Sequence, residues 1–166
     1  MSKTRESLFS MLEARGIDWN STNILDLFAG TGSLAFEAIS RGSPRAVLVE
    51  NNQEQCAAIA RSAADLDIAA RIRIVRQDVK RFLHNPAGQA FDLVFVDPPY
   101  RRNYALPVIK ALLRNNWLSP GAFVVAELEN GTTLPELLGL QAAGERIFGQ
   151  TILRIWKKTE ILQHSI

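Results

Sequence analysis

Apolar positions fall along this chain in two alternating patterns. Nearly unbroken apolar runs occupy residues 24–28, 46–49, 91–96 and 122–126. Runs of that length suit strands buried on both faces, as in a parallel sheet covered by helices. They predict strands at 23–28, 46–50, 91–96 and 122–127, and the period-two run Arg71-Ile72-Arg73-Ile74-Val75-Arg76 adds another. Residues 91–96, the most uniformly apolar, belong at the centre of the sheet. Between the strands the spacing turns helical over 33–40, 52–66, 80–83 and 104–115. Ahead of them, 3–14 predicts an amphipathic lead-in helix with Leu8, Phe9, Met11 and Leu12 on one face and Gly16 placed to end it. A turn is expected at Ser119-Pro120-Gly121, and 140–148 and 151–157, joined at Gly149-Gln150, read as an antiparallel pair at the end of the sheet. The expectation is an α/β protein with a mostly parallel seven-stranded sheet and helices on both faces.

Composition narrows the setting more than the chemistry. With 166 residues and 47% hydrophobic content the chain can bury one sizeable core, so 1–166 is expected to be a single domain. No apolar run approaches the roughly 20 residues needed to span a bilayer. The first residues lack the apolar segment of a signal peptide, and the one cysteine cannot form an internal disulfide or a cysteine metal cage, so a cytoplasmic monomer without membrane or metal is expected. Cys56, among the alanines of 52–66, reads as a small core residue. A net charge of +2 permits a nucleic-acid partner without arguing for one.

Candidate chemistry gathers at the carboxyl ends of the predicted strands. Asp26 interrupts the first apolar run, and Gly30 and Gly32 follow it directly, allowing positive φ and close approach of a ligand to the chain before a helix start. Glu50 ends the next strand about twenty residues later, where an acidic residue can accept both hydroxyls of a ribose. Asp78 follows the third strand, and Asp97-Pro98-Pro99-Tyr100 follows the central one. Two prolines remove two N–H donors and stiffen the chain, leaving an acceptor-only pocket between a carboxylate and an aromatic ring. Its complement is an exocyclic amine: Asp97 and a proline carbonyl accept the amine hydrogens while Tyr100 stacks on the base.

These residues resemble the class I S-adenosylmethionine-dependent methyltransferases, Rossmann-like enzymes, of the group that modifies exocyclic amines. The segment Thr4-Arg5-Glu6-Ser7-Leu8-Phe9, the run from Asp26 through Ser40-Arg41-Gly42 and the step Trp117-Leu118 are similar to the RsmD family, which methylates a guanine N2 in small-subunit (16S) ribosomal RNA. The resemblance implies that Asp26, Phe28, Ala29, Gly30, Thr31 and Gly32 cradle the methionine part of S-adenosyl-L-methionine, Glu50 with Asn51 holds the ribose, and Asp78 with Val79 meets the adenine. Asp97, Pro98, Pro99 and Tyr100 would form the catalytic loop, and Arg101 and Arg102 are placed to hold substrate phosphates. Family members usually carry a basic N-terminal extension with a β-hairpin, whereas this chain starts at the lead-in helix. The implied partner is ribosomal RNA in the small subunit or its assembly intermediate.

Rival readings remain at this stage. Adenine N6 or a protein amide could fill the same amine pocket, and a non-catalytic RNA-binding relative could share the fold. A dinucleotide oxidoreductase would use the glycine loop but give Asp97-Pro98-Pro99-Tyr100 no role. Cytosine C5 methylation needs a thiolate where Asp97 stands.

Overall fold

The computed structural model describes residues 2–100 and 103–160. Its elements run α1 (Lys3–Ala14), β1 (Ile24–Leu27), α2 (Ser33–Ser40), β2 (Ala46–Glu50), α3 (Gln53–Asp65), β3 (Ile72–Arg76), α4 (Val79–Leu83), β4 (Phe91–Val96), α5 (Ala105–Arg114), β5 (Leu118–Glu129), β6 (Leu140–Phe148) and β7 (Thr151–Lys158). Among the described residues seven strands form one sheet in the order β3-β2-β1-β4-β5-β7-β6, parallel from β3 through β5 and antiparallel at β7 and β6. The most apolar strand, β4, is the middle one, as expected.

Alternation along each strand sends side chains into two separate cores. On one side Leu25, Leu27, Val94, Val96, Val124 and Ala126 pack against Val79 and Leu83 of α4 and Val108, Ile109 and Leu112 of α5. On the other, Ile24, Leu48, Leu93, Phe95, Phe123 and Val125 meet Phe9 and Leu12 of α1, Ala35 and Ile39 of α2 and Ile59 of α3. Burial on both faces explains why these strands read as apolar runs instead of alternating ones. Ala105, Val108, Ile109 and Leu112 recur at i, i+3, i+4 and i+7, so α5 turns one stripe to the sheet. Side-chain caps fix several helix starts: Ser2 accepts from Arg5 N on α1, Asn52 from Gln55 N on α3 and Asp78 from Arg81 N on α4.

The expected turn at 119–121 is instead a bulge within β5. Pairing runs from Phe91↔Leu118 straight to Leu93↔Phe123, leaving the intervening β5 residues out of register. Pro120 has no N–H to give the ladder, and Gly121 takes φ +74°, so this stretch bows away without ending the strand. Ser119 Oγ fastens it, donating to Asp92 Oδ1 at 2.6 Å and lying 3.1 Å from Phe91 O. Among the described residues no helix is long and apolar enough to cross a membrane.

Because β1 lies between β2 and β4, the chain's progress across the sheet reverses there. The carboxyl edge of such a switch point is where open α/β sheets leave a crevice.

Candidate active site

The crevice at this edge has a volume of about 570 Å³, within the usual range for a site holding a small organic ligand. Phe28, Glu50, Asn51, Asp78, Val79, Asp97, Pro98, Pro99 and Tyr100 all line it, so nine residues singled out in the sequence converge from four different strand ends. Asp26, Ala29, Gly30 and Thr31 line a smaller adjoining cavity of about 130 Å³, and Phe28 and Asp97 reach both. Gly32 lines neither. Arg101 and Arg102, expected on phosphates, lie outside the described residues.

The glycine loop is held by its neighbours as much as it is open to a ligand. Phe28 and Gly30 both sit at φ 59° and Gly32 at φ 78°. A Cβ on Gly32 would stand 2.9 Å from Leu48 Cδ2 and 3.1 Å from Phe36 Cε2, whereas one on Gly30 would meet only Phe28 O at 4.0 Å. The sequence expectation of close ligand approach at both glycines is thus divided: Gly32 is required by the packing of α2 on β2, and Gly30 faces the open side. Since Gly32 cannot cap α2 with a side chain, Asp26 does so from β1, its Oδ2 accepting from Ala35 N at 3.2 Å. Burial drives the Asp26 carboxyl well above its ordinary value; the Ala35 bond opposes the shift, and nearby Asp97 and Glu50 add to it.

Glu50 ties two loops together. Its Oε1 accepts from Gly30 N at 2.9 Å and its Oε2 from Asn52 N at 2.8 Å. Each carboxylate oxygen retains a second lone pair, so Glu50 can hold hydroxyl donors in the crevice while fixing the loop that would cradle them. Asp78 caps α4 through Oδ2 to Arg81 N at 3.1 Å, presenting Val79 beside it to the crevice.

Asp97 lies at the end of β4, and burial lifts its carboxyl from 3.8 to about 7, with Glu127 adding to the rise and Arg5 opposing it. Tyr100 is more than half exposed, its hydroxyl 2.9 Å from Thr151 Oγ1 at the start of β7.

Glu127, Arg5 and Tyr104 are among the lining residues that carried no assignment from sequence. Glu127 sits on β5 beside Asp97, because Val96 pairs with Ala126 in parallel register. The strand-end carboxylate pattern that picked out Glu50 and Asp97 would have found it. Arg5 of α1 borders the smaller cavity, bringing a cation to Asp26, Asp97 and Glu127. Tyr104 stacks on Phe28 with ring centres 6.1 Å apart and planes 9° apart, and Lys80 Nζ stands 4.4 Å from the Tyr104 ring centre. Its position follows from the path of the loop before α5, which no local pattern announces.

A family profile described as "Conserved hypothetical protein 95" matches residues 1–157. The ribosomal RNA small subunit methyltransferase D of Escherichia coli strain K12 is 34% identical over 159 residues, covering 94% of this chain and 77% of its own length. The chain belongs to the RsmD family. The protein of the same name from Haemophilus influenzae is 33% identical over 134 residues, 80% of this chain and 68% of its own. Among solved structures, a conserved hypothetical protein from Streptococcus pyogenes superposes with a TM-score of 0.84 at 35% identity, covering 93% of this chain and 94% of that one. An RNA methyltransferase from Salinibacter ruber in complex with S-adenosyl-L-homocysteine shares the fold, with a TM-score of 0.71 at 17% identity over 99% of this chain and 97% of that one.

As an RsmD-family methyltransferase the chain requires a methyl donor, and its residues suit S-adenosylmethionine. Glu50 retains acceptor capacity for a ribose, Phe28 and Val79 supply apolar walls, and the carboxylates at the sheet edge favour a cationic sulfonium.

Proposed function

We propose that this protein transfers a methyl group from S-adenosylmethionine to the exocyclic N2 of a guanine in small-subunit ribosomal RNA. The observation that carries the reading is the convergence of Asp97-Pro98-Pro99-Tyr100 with Glu50, Asp78 and the glycine loop in one crevice at the switch point of the sheet. The names of the E. coli and H. influenzae relatives supply the RNA and the subunit.

S-adenosylmethionine supplies a methyl group on a sulfonium, an electrophile that needs a neutral nitrogen lone pair opposite it. Asp97 accepts an N–H of the amine, and the carbonyls of the proline pair offer acceptors for the other; together they orient the lone pair and favour a pyramidal nitrogen. That interaction strengthens as positive charge builds on nitrogen, so it lowers the barrier more than it improves binding. With a carboxyl near 7, Asp97 can also take up the proton the nitrogen loses after transfer. Glu50 and Asp78 hold the nucleoside part of the donor, and the Tyr100 ring covers the base.

The relatives' names point to RNA of the small ribosomal subunit, in which the target nucleotide is presented by a larger folded partner, the assembled or partly assembled subunit. Labelled S-adenosylmethionine incubated with unmodified small subunits, and in parallel with short free RNA, tests this. Efficient labelling of RNA within the subunit and poor labelling of the short RNA is expected; label on ribosomal protein would overturn it.

A further inference from the structure

The crevice holds a second acceptor that the transfer step above leaves unused. Glu127 stands beside Asp97 at the carboxyl edge, one residue beyond the paired Val96 and Ala126, and both side chains line the crevice next to Pro98, Pro99 and Tyr100. Glu50, Asp78 and Asp26 each hold backbone N–H groups, whereas Asp97 and Glu127 accept no hydrogen bond among the described residues. The nearest compensating cation is Arg5, across the smaller cavity. Two adjacent carboxylates free of internal donors complement a flat edge that presents two adjacent donor groups.

Among bases with an exocyclic amine, only guanine presents such an edge. Its N2 amine adjoins N1–H, a donor, while the N6 amine of adenine adjoins N1 and the N4 amine of cytosine adjoins N3, both acceptors. An acceptor beside Glu127 would set one lone pair against another and leave the carboxylate unpaired in a half-buried position.

We propose that Glu127 selects guanine at this site by accepting its N1–H while Asp97 holds the N2 amine. The assignment rests on guanine N2 being the methylated atom, and it adds the group that rejects adenine and cytosine. Sites built to pair with a polar substrate group discriminate strongly against analogues lacking that group.

The test uses 2-aminopurine, which keeps the 2-amine but has an unprotonated N1. Small subunits reconstituted with guanine or 2-aminopurine at the methylated position are compared by kcat/KM with labelled S-adenosylmethionine. The unaltered protein should favour guanine by about 10- to 100-fold, matching one lost base-edge contact. In Glu127→Gln the amide can donate to N1 of 2-aminopurine, so the preference should fall below about 5-fold. Glu127→Asp keeps the charge with a shorter reach; it should lose rate on guanine but keep the sign of the preference. Calorimetric binding of S-adenosylmethionine confirms that each variant is folded, and Glu127→Asp carries the test alone if the glutamine variant is not. Equal rates on both bases in the unaltered protein, or an undiminished preference in Glu127→Gln, would overturn the role of Glu127. Label on a residue other than the substituted purine would instead overturn the guanine N2 reading itself.

Discussion

Replacing Asp97 by asparagine should stabilise the protein while removing its activity. The carboxyl moves from 3.8 to about 7 in the folded protein, chiefly through burial, with Glu127 adding to the rise and Arg5 opposing it. A raised folded value means that between about pH 4 and pH 7 the native state binds more protons than the unfolded chain, so stability falls as pH rises through that window. At about 1.4 kcal/mol per unit, the ionised carboxylate costs the native state about 4 kcal/mol above pH 7, as an upper bound. The asparagine side chain keeps a similar shape without the charge. The stability difference between Asp97→Asn and the parent should therefore widen by about 2 to 3 kcal/mol from pH 5 to pH 8. In a chain of this size that is about 4 to 12 °C in Tm. Thermal denaturation of both proteins at the two pH values, without cofactor, measures it, and methyl transfer by the variant should fall far more than its affinity for S-adenosylmethionine. A pH-independent difference in Tm would refute the idea that Asp97 is a strained, buried carboxylate, and an unchanged single-turnover rate would remove it from the transfer step.

Other perturbations follow from the same geometry. The single-turnover rate should rise with pH through about 7 as Asp97 ionises; a profile flat from pH 5.5 to 8 would contradict its role as acceptor. Glu50→Ala should weaken S-adenosylmethionine binding by about 1.5 to 3 kcal/mol, the range for hydrogen bonds to a charged group, with calorimetry as the readout and unchanged affinity as the contrary result. Gly32→Ala combines a left-handed backbone with a Cβ 2.9 Å from Leu48, and denaturant titration should show a loss of about 2 to 5 kcal/mol; a loss under 1 kcal/mol would count against it. Tyr100→Ala should raise KM for the subunit by the equivalent of about 1 to 3 kcal/mol of stacking. Tyr100→Phe, which loses only the Thr151 bond, should stay near the parent, and equal effects from both variants would assign the role to the hydroxyl.

Much of the scaffold was legible in the chain because strands buried on both faces are apolar along nearly their whole length, and β1, β2, β4 and the core of β5 read so, with Asp26 and Asp92 the interruptions in β1 and β4. The bulge in β5 was not: Ser119-Pro120-Gly121 satisfies every local rule for a turn, and only the partner strand β4 decides that pairing resumes beyond it. Candidate site residues were found where a carboxylate broke an apolar run or followed one, which is how Asp26, Glu50, Asp78 and Asp97 stood out. Glu127 carries the same signal at the end of the predicted run 122–127, although β5 itself continues through Leu128 and Glu129; no glycine turn or proline pair follows it to mark a loop. Arg5 and Tyr104 reach the crevice through helix packing and loop path, which have no local signature. The bond from Tyr100 to Thr151 joins residues 51 apart in sequence, and the double duty of Glu50, bridging Gly30 and Asn52, depends on how β1 and β2 lie side by side.

The most direct measurement is the identity of the methylated nucleoside. Unmodified small subunits treated with the protein and S-adenosylmethionine, digested completely and separated by mass spectrometry, should yield N2-methylguanosine in an amount approaching one per subunit. N6-methyladenosine in its place, or no new methylated nucleoside under conditions where the protein binds S-adenosylmethionine, would contradict it.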